Sequence, residues 1–165
     1  MKRRVVRAQN VSRMCLVCGR DNLLGLKARF YELEGGELLG VFQVREEHQS
    51  YPGRLHGGIA SAILDETIGR ALGLTEPNAW GVTIELSMKY RKPVPTGREI
   101  RAIGRVTKDA RRIFEGTGEI VLDDGSVAVE ATGRYLRQPI ERITKGALVG
   151  DWLTDERDWP AEIDL

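Results

Sequence analysis

The sequence lacks several features that would place it in a specialised class of protein. Its 165 residues include only two cysteines, Cys15 and Cys18, and contain no internal repeat or low-complexity linker. No apolar run approaches the roughly 20 residues that a membrane-spanning helix needs, and the basic residues 1–6 are not followed by the apolar core of a signal peptide. So few cysteines give no disulfide framework and fit a reducing compartment. We therefore expect a cytoplasmic protein.

An excess of charge of either sign is also absent. The 25 lysines and arginines against 24 aspartates and glutamates give a net charge of +1. This balance argues against a dedicated nucleic-acid binder, whose affinity depends on a basic surface. A content of 41% hydrophobic and 30% charged residues is typical of a globular chain rather than a disordered one. The length allows one domain with a single core.

One segment has the pattern of an amphipathic helix. Apolar residues recur at three- and four-residue spacing over 57–72, which predicts a helix with one apolar face, and Gly73 is a suitable stop. We expect residues 1–25 to be irregular and 48–53 to form a loop that contains Pro52 and Gly53.

The remaining patterns predict strands. The strand-like runs cover 26–32, 38–44, 82–90, 99–107, 113–122 and 127–136, with hairpin turns at 34–37 and 123–126. The run 82–90 alternates apolar and polar residues with a period of two. An antiparallel meander buries a single amphipathic helix best by wrapping around it. We therefore predict an α+β fold, with an antiparallel sheet of five to six strands around one long helix. The domain spans 26–138. An acidic tail, 139–165, follows it and could pack on the body as a short helix, but the sequence does not place it.

Two glycines, Gly57 and Gly58, open the predicted helix. Glycine inside a helix costs about 1 kcal/mol relative to alanine, but here it removes side chains where unpaired N–H groups and the positive end of the helix dipole lie. A thioester carbonyl that becomes an oxyanion could approach this backbone closely. The alternative is an ordinary flexible start of a helix.

Asp65 lies on the small and apolar face of the same helix, whose neighbouring residues include Ser61, Ala62 and Ile68. A carboxylate there could act as a general base toward water or as a nucleophile on an acyl carbon. Without further context, a structural bond to a nearby loop is the simpler interpretation.

The spacing of these residues limits how they can cooperate. Gly57 and Asp65 are eight residues apart, which on one helix is a rise of about 12 Å. They cannot act on one carbonyl from the same helix. If both are catalytic, Gly57 of one subunit faces Asp65 of another, and the active protein is at least a dimer.

These residues form a recognisable motif. The His56-Gly57-Gly58 sequence with Asp65 after it, and the predicted order of strands, resemble the hotdog-fold acyl-CoA thioesterases of the phenylacetate-degradation (PaaI-like) family. Further matching positions are residues 81–86, Tyr90, Pro93, the Cys15-to-Gly19 opening, Asn22 and residues 25–26. The resemblance covers about residues 15 to 136.

The resemblance implies roles for individual residues. The Gly57 N–H would polarise the thioester carbonyl, with His56 shaping the start of the helix and Gly58 beside it. Asp65 matches the family's catalytic carboxylate, and Thr83 matches a hydroxyl that holds the water or the carboxylate. The family often has an amide side chain in the loop before the histidine. Ser50 stands there in this sequence, and we take its neighbour Gln49 as the substitute.

Other candidates have simpler interpretations. His56 has no partner carboxylate at a defensible spacing, so a hydrogen bond at the helix start is favoured over acid–base catalysis. His48 is expected to be a loop residue without a special role. Cys15 and Cys18 supply half of a zinc site, and two packed thiols are favoured over metal binding or redox chemistry.

Basic residues cluster around the turn that follows residue 107. Among them, Arg111 and Arg112 could hold the phosphates of coenzyme A, and a solvated turn is the alternative. The resemblance favours the phosphate role, because basic residues often precede this strand in the family.

The leading hypothesis is hydrolysis of an acyl-CoA by a homo-oligomer, without a metal or redox cofactor. A non-catalytic module that senses acyl-CoA is the alternative, although both Gly57 and Asp65 are retained. Hydration of enoyl thioesters usually relies on a histidine and a carboxylate together, and this helix lacks that pairing. The acyl group and the choice between dimer and tetramer stay open.

Overall fold

The computed structural model describes residues 2–145, 152–154 and 159–165. Its strands are β1 (Lys2–Ala8), β2 (Val11–Ser12), β3 (Arg29–Leu33), β4 (Glu37–Val44), β5 (Gln49–Tyr51), β6 (Arg54–Leu55), β7 (Ala79–Tyr90), β8 (Arg98–Asp109), β9 (Ile113–Val121), β10 (Val127–Pro139), β11 (Trp152–Leu153) and β12 (Glu162–Asp164). The helices are α1 (Gly57–Arg70) and α2 (Ile140–Thr144), and 3-10 turns cover Glu46–His48 and Ala71–Leu74. None of the helices in the described residues is long and apolar enough to span a membrane.

Eight strands form one antiparallel sheet in the order β12-β1-β3-β4-β8-β9-β10-β7. Helix α1 packs against five of them, β4, β7, β8, β9 and β10. The predicted α+β fold, a sheet wrapped around one long helix, is therefore confirmed. The sheet is larger than the five to six strands expected, because β1 and β12 extend it at the end opposite β7.

Helix α1 is held by an apolar face and by glycines in the sheet below it. Its buried residues include Ala60, Ile63, Leu64 and Ile68, at the spacing predicted from the sequence. A Cβ atom on Gly104 of β8 would lie 2.6 Å from the Thr67 carbonyl oxygen. Only a residue without a side chain lets the helix backbone come this close to the strand.

The two predicted hairpin turns are present, and the expected helix stop is not. Gly35, Gly36 and Gly125 have φ values of +99°, +82° and +77°, which favour glycine in these turns. The predicted stop at Gly73 is wrong, because α1 ends at Arg70 and Gly73 lies inside the 3-10 turn that follows. The φ angle of Gly73 is not positive, so this residue does not form a left-handed cap.

Residues 1–25 are not irregular throughout, as β1 pairs with β3 and with β12. Most of the side chains of β1 are charged, which hides its pattern, and only Val5 is buried. Ion pairs hold this strand in place: Arg3 lies 2.8 Å from Glu37, and Arg7 lies 2.6 Å from Glu32.

The tail contributes strands as well as the short helix α2. β12 pairs with β1, and β11 pairs with β2. Trp152 lies in β11, and Trp159 is exposed. The parts of the predicted tail at 146–151 and 155–158 lie outside the described residues.

A β-bulge interrupts the alternation predicted for 82–90. Tyr135 of β10 pairs with Thr83, and the preceding Arg134 pairs with Glu85, so Ile84 is an extra residue in β7. Such an insertion reverses which face of the sheet the following residues occupy. As a result Thr83 faces the helix, while Val82 and Ile84 are 40% and 52% exposed. The predicted period of two is therefore broken at Ile84, and the sequence does not show this because the bulge depends on pairing with a distant strand.

The expected loop at 48–53 is largely the β5–β6 hairpin. His48, expected to have no special role, is buried. Its Nε2 lies 2.8 Å from the Leu24 carbonyl oxygen, and its Nδ1 accepts a hydrogen bond from the Arg45 N–H. This imidazole therefore fastens the segment before α1 to the N-terminal part of the chain.

Candidate active site

The start of α1 leaves one backbone donor available. His56 is the N-cap, and its Nδ1 accepts a hydrogen bond of 2.9 Å from the Gly58 N–H. This is the structural hydrogen bond expected of His56. Within the described chain the Gly57 N–H has no acceptor, although it points out of the positive end of the helix dipole. A Cβ on Gly57 would make only ordinary contacts, 3.5 Å or more from the Tyr90 ring, so packing inside the subunit does not require a glycine.

Tyr90 and Ser61 fix the first turn of the helix from the end of β7. The Tyr90 hydroxyl donates to the Gly57 carbonyl oxygen at 3.0 Å, and the Ser61 hydroxyl donates to the same oxygen at 3.1 Å. The two hydroxyls lie 2.9 Å apart. Sequence reasoning did not name either residue for the site. The signal that could have identified Tyr90 is its place at the end of the alternating strand, on the helix-facing side.

A cavity of about 340 Å³ opens beside Gly57. Its lining is Leu55, Gly57, Ala60, Tyr90, Arg91, Lys92, Pro93, Val94 and Val129. Arg91 is paired with Glu130 at 2.9 Å, and both basic residues are exposed at the rim. A larger cavity of about 480 Å³ lies at the other end of α1, near Arg70 and Trp80, and its lining includes neither Gly57 nor Asp65.

Asp65 is half-buried near the middle of α1 and is held by β7. The Thr83 hydroxyl donates to Asp65 Oδ1 at 2.8 Å. The Tyr135 hydroxyl donates to the backbone oxygen of Asp65 at 3.3 Å. Burial and the charge of Asp65 raise the pKa of Tyr135, which keeps the phenol a donor.

The structure does not bring Gly57 and Asp65 to one point within a subunit. Tyr90 holds the Gly57 end of α1, and Thr83 holds the Asp65 end. A single helix separates them by about 12 Å, as the spacing predicts.

The other predicted site residues lie farther out. Gln49 and Ser50 are exposed in β5, and Gln49 Oε1 accepts a hydrogen bond from the Gly53 N–H within the same hairpin. Arg111 and Arg112 are exposed in the β8–β9 turn. The Arg112 carbonyl oxygen accepts a hydrogen bond from the Arg137 N–H, and Arg137 pairs with Gly81. This turn therefore lies near the Thr83 half of β7, away from Gly57 of the same subunit.

Cys15 and Cys18 are free thiols, half-buried and buried respectively. A hydrogen bond between their side chains lowers the pKa of the Cys15 thiol to about 6, and the same hydrogen bond raises the pKa of Cys18.

Comparison with known proteins identifies the family. The fold and the site together define a hotdog protein with a thioesterase-like helix motif. The model of the thioesterase superfamily matches residues 52–137, more than half of the chain, and the matched range includes Gly57, Asp65 and Thr83. The chain therefore belongs to the thioesterase superfamily, as the sequence predicted.

Individual relatives agree with this assignment. The chain is 31% identical to human acyl-coenzyme A thioesterase 13 over 78 residues, which are 47% of this chain and 56% of that protein. A crystal structure of a thioesterase superfamily protein has a TM-score of 0.67 at 28% identity, with 76% of this chain and 61% of that chain covered. The PaaI protein of the Escherichia coli phenylacetic acid degradation operon is similar in fold, with a TM-score of 0.61 at 16% identity over 68% of this chain and 80% of its own. The chain spans about half the length of the acyl-coenzyme A thioesterases it matches.

Proposed function

We propose that this protein hydrolyses the thioester of an acyl-CoA to the free acid and coenzyme A. The observation that carries the proposal is the available Gly57 N–H, which lies at the positive end of α1 and beside a cavity. Membership of the thioesterase superfamily and the Asp65 carboxylate held by Thr83 support it. The alternative, a module that only senses acyl-CoA, would need neither an oxyanion donor nor a positioned base.

The proposed reaction uses groups that this chain supplies. Asp65 accepts a proton from water, whose oxygen attacks the thioester carbonyl carbon. The carbonyl oxygen becomes an oxyanion and accepts a hydrogen bond from the Gly57 N–H, strengthened by the helix dipole. The carbon–sulfur bond then breaks, and the coenzyme A thiolate takes up the proton. Direct attack by Asp65 on the acyl carbon is the other route, and it depends on the same carboxylate.

We further propose that each site is shared between two subunits through β7. This strand is the last of the sheet, and its outer edge has no partner among the described residues. An antiparallel pairing of two copies of β7, centred on Ser87 and with Ile84 as the extra residue in each copy, places Thr83 of one copy opposite Tyr90 of the other. Because Thr83 holds Asp65 and Tyr90 holds Gly57, this pairing brings Asp65 of one subunit toward Gly57 of the second. The exposed Val82 and Ile84 would lie at this interface.

Basic residues suit the phosphates of the substrate. Arg91 and Lys92 line the cavity at Gly57, while Arg111 and Arg112 lie near the Thr83 half of β7. When two copies of β7 pair, Arg91 and Lys92 of one subunit and Arg111 and Arg112 of the other approach the same interface. We propose that Arg111 and Arg112 bind the coenzyme A phosphates and that Gln49, Ser50 and Gly58 border the thioester.

The test is release of free thiol from short, medium and aromatic acyl-CoAs, measured for the wild type and Asp65→Asn. Loss of a general base is expected to lower kcat by about 10²- to 10⁴-fold. Asp123→Asn, an exposed carboxylate in the β9–β10 turn, is the matched control and should keep wild-type turnover. Wild-type turnover in Asp65→Asn would contradict the proposal. Binding of acyl-CoA without turnover in the wild type would favour the sensing module.

A further inference from the structure

A second group of chemically active side chains lies beside the C-terminal half of α1, outside the proposed active site. Sγ of Cys15, Sγ of Cys18 and a carboxylate oxygen of Glu66 all lie within 4.8 Å of one another. The described residues contain no other group of three or more cysteine, histidine or acidic side chains this close. Glu66 directly follows Asp65 in α1, but none of the three residues is used in the proposed reaction.

Backbone N–H groups donate hydrogen bonds to both cysteine sulfurs. The Val17 N–H donates to Cys15 Sγ, and the Ser12 N–H donates to Cys18 Sγ, both at 3.3 Å. Gly19 closes the turn with a hydrogen bond of 2.8 Å to the Cys15 carbonyl oxygen. A Cβ there would lie only 2.2 Å from that oxygen, so the tight turn requires glycine. Hydrogen bonds of this kind orient and stabilise metal-bound ligands.

Arg70 supplies the charge that such a site needs. It is only 6% exposed, and its Nε donates to Glu66 Oε1 at 2.6 Å, while Nη2 donates to Cys18 Sγ at 3.2 Å. Two thiolates and one carboxylate carry three negative charges. A divalent cation and the Arg70 guanidinium carry three positive charges and cancel them. The five charged groups together are then neutral, so the buried Arg70 and Cys18 carry no uncompensated charge.

We infer that Cys15, Cys18 and Glu66 bind a zinc ion. Thiolate and carboxylate ligands suit zinc, whose bonds of about 2.3 Å to sulfur and about 2.1 Å to oxygen would draw the three ligand atoms slightly closer together. Three protein ligands leave a fourth position for water. The ion would fasten the N-terminal segment to α1, and it takes no part in thioester hydrolysis. The sequence favoured two packed thiols because the third ligand is distant in the chain and joins the cysteines only through the fold.

The decisive measurement is metal content and spectroscopy of the full chain, without substrate. The protein is loaded with zinc, dialysed against a weak chelator and analysed by mass spectrometry for metal, and free thiols are titrated in parallel. Replacement of zinc by cobalt should give a thiolate-to-cobalt charge-transfer absorption in the wild type. We expect about one zinc per chain, with loss of both signals in Cys18→Ser and at least about tenfold weaker zinc binding in Glu66→Gln.

Asp21→Asn is the matched control, because Asp21 is an exposed carboxylate in the same N-terminal segment. It should bind zinc as the wild type does. The cobalt spectrum of the wild type tests the inference even if a variant fails to fold. A wild type that retains no zinc and shows no charge-transfer band overturns it. Disappearance of both free thiols without metal would also overturn it and would identify a Cys15–Cys18 disulfide instead.

Discussion

At the scale of single residues, the hydrogen bond from Thr83 orients the Asp65 carboxylate, which we propose as the general base. Thr83 reaches the helix only because Ile84 is inserted as a bulge beside it. A hydrogen bond to a charged group contributes about 1.5–3 kcal/mol. We therefore expect Thr83→Val to lower kcat by about 10- to 100-fold with little change in KM, because a misoriented base affects the chemical step more than binding.

Thr83→Ser keeps the hydroxyl and should therefore retain most of the wild-type kcat. A purely structural role of the threonine would not explain this difference from Thr83→Val. Thr107→Val, at an exposed threonine of β8, is the control for loss of a hydroxyl from a strand. Steady-state kinetics with one acyl-CoA measures all four proteins. Equal kcat values for Thr83→Val and the wild type would show that Thr83 does not position Asp65.

The residues that could be predicted from the sequence are those whose signal is local. Gly57 and Asp65 share one helix, so their spacing fixes their relation before any tertiary structure is known. Tyr90 contacts Gly57 across 33 positions of the chain, and no short-range pattern links them. Thr83 was suggested only by resemblance to a family, because the face it occupies depends on a bulge formed with β10.

At the scale of elements, the fit of α1 against the sheet depends on small residues beneath it. A Cβ at Gly104 would meet the helix backbone at 2.6 Å, and a backbone contact cannot rotate away. Gly104→Ala should therefore lower the free energy of unfolding by about 1–3 kcal/mol. Urea denaturation should show a lower midpoint with an unchanged slope.

The control for this substitution is Gly69→Ala on α1. A Cβ there would lie 3.4 Å from the Tyr135 ring, and alanine is favoured over glycine inside a helix by about 0.5–1 kcal/mol. We expect Gly69→Ala to leave stability unchanged or slightly higher. If Gly104→Ala unfolds at the wild-type midpoint, the helix is not held as closely as the structure indicates.

The unpaired edge of β7 leads to a prediction about how two copies of the chain assemble. Ile84→Asp places a charge where two copies of β7 would pair, and it should shift the proposed dimer toward monomer in sedimentation velocity. Val6→Asp, on β1 at the other end of the sheet, replaces an apolar residue that is 61% exposed and should leave the assembly intact. Identical sedimentation of Ile84→Asp and the wild type would exclude β7 as the interface.

The elements themselves could be predicted to different degrees. Helix α1 and the strands β3, β4, β8, β9 and β10 lie close to their predicted ranges, because each has its own periodicity and is bounded by turn residues. β1 was not predicted, because pairing with β3 and β12 and ion pairs stabilise it rather than an alternating apolar pattern. β12 is only three residues long and becomes a strand by pairing with β1.

At the scale of the whole molecule, the separation of Gly57 and Asp65 leads to our proposal that a complete site contains parts of two chains. This can be tested with two inactive variants. Asp65→Asn removes the base, and Gly57→Pro removes the N–H at the first helical position, where proline is well tolerated. The extended backbone of His56 also suits a residue before proline. Gly57→Ala retains the N–H, fits beside Tyr90, and should stay active.

Mixing the two inactive variants should restore turnover. In a hybrid dimer, one site combines the intact Gly57 of one chain with the intact Asp65 of the other, while the second site carries both defects. Random exchange of equal amounts therefore gives about a quarter of the wild-type turnover, because half of the dimers are hybrids with one working site. Exchange is verified by co-purification of differently tagged chains, and each variant alone should stay inactive under the same conditions. If exchange is complete and no turnover appears, Gly57 of one chain and Asp65 of the other do not form one site, and the shared site must be abandoned.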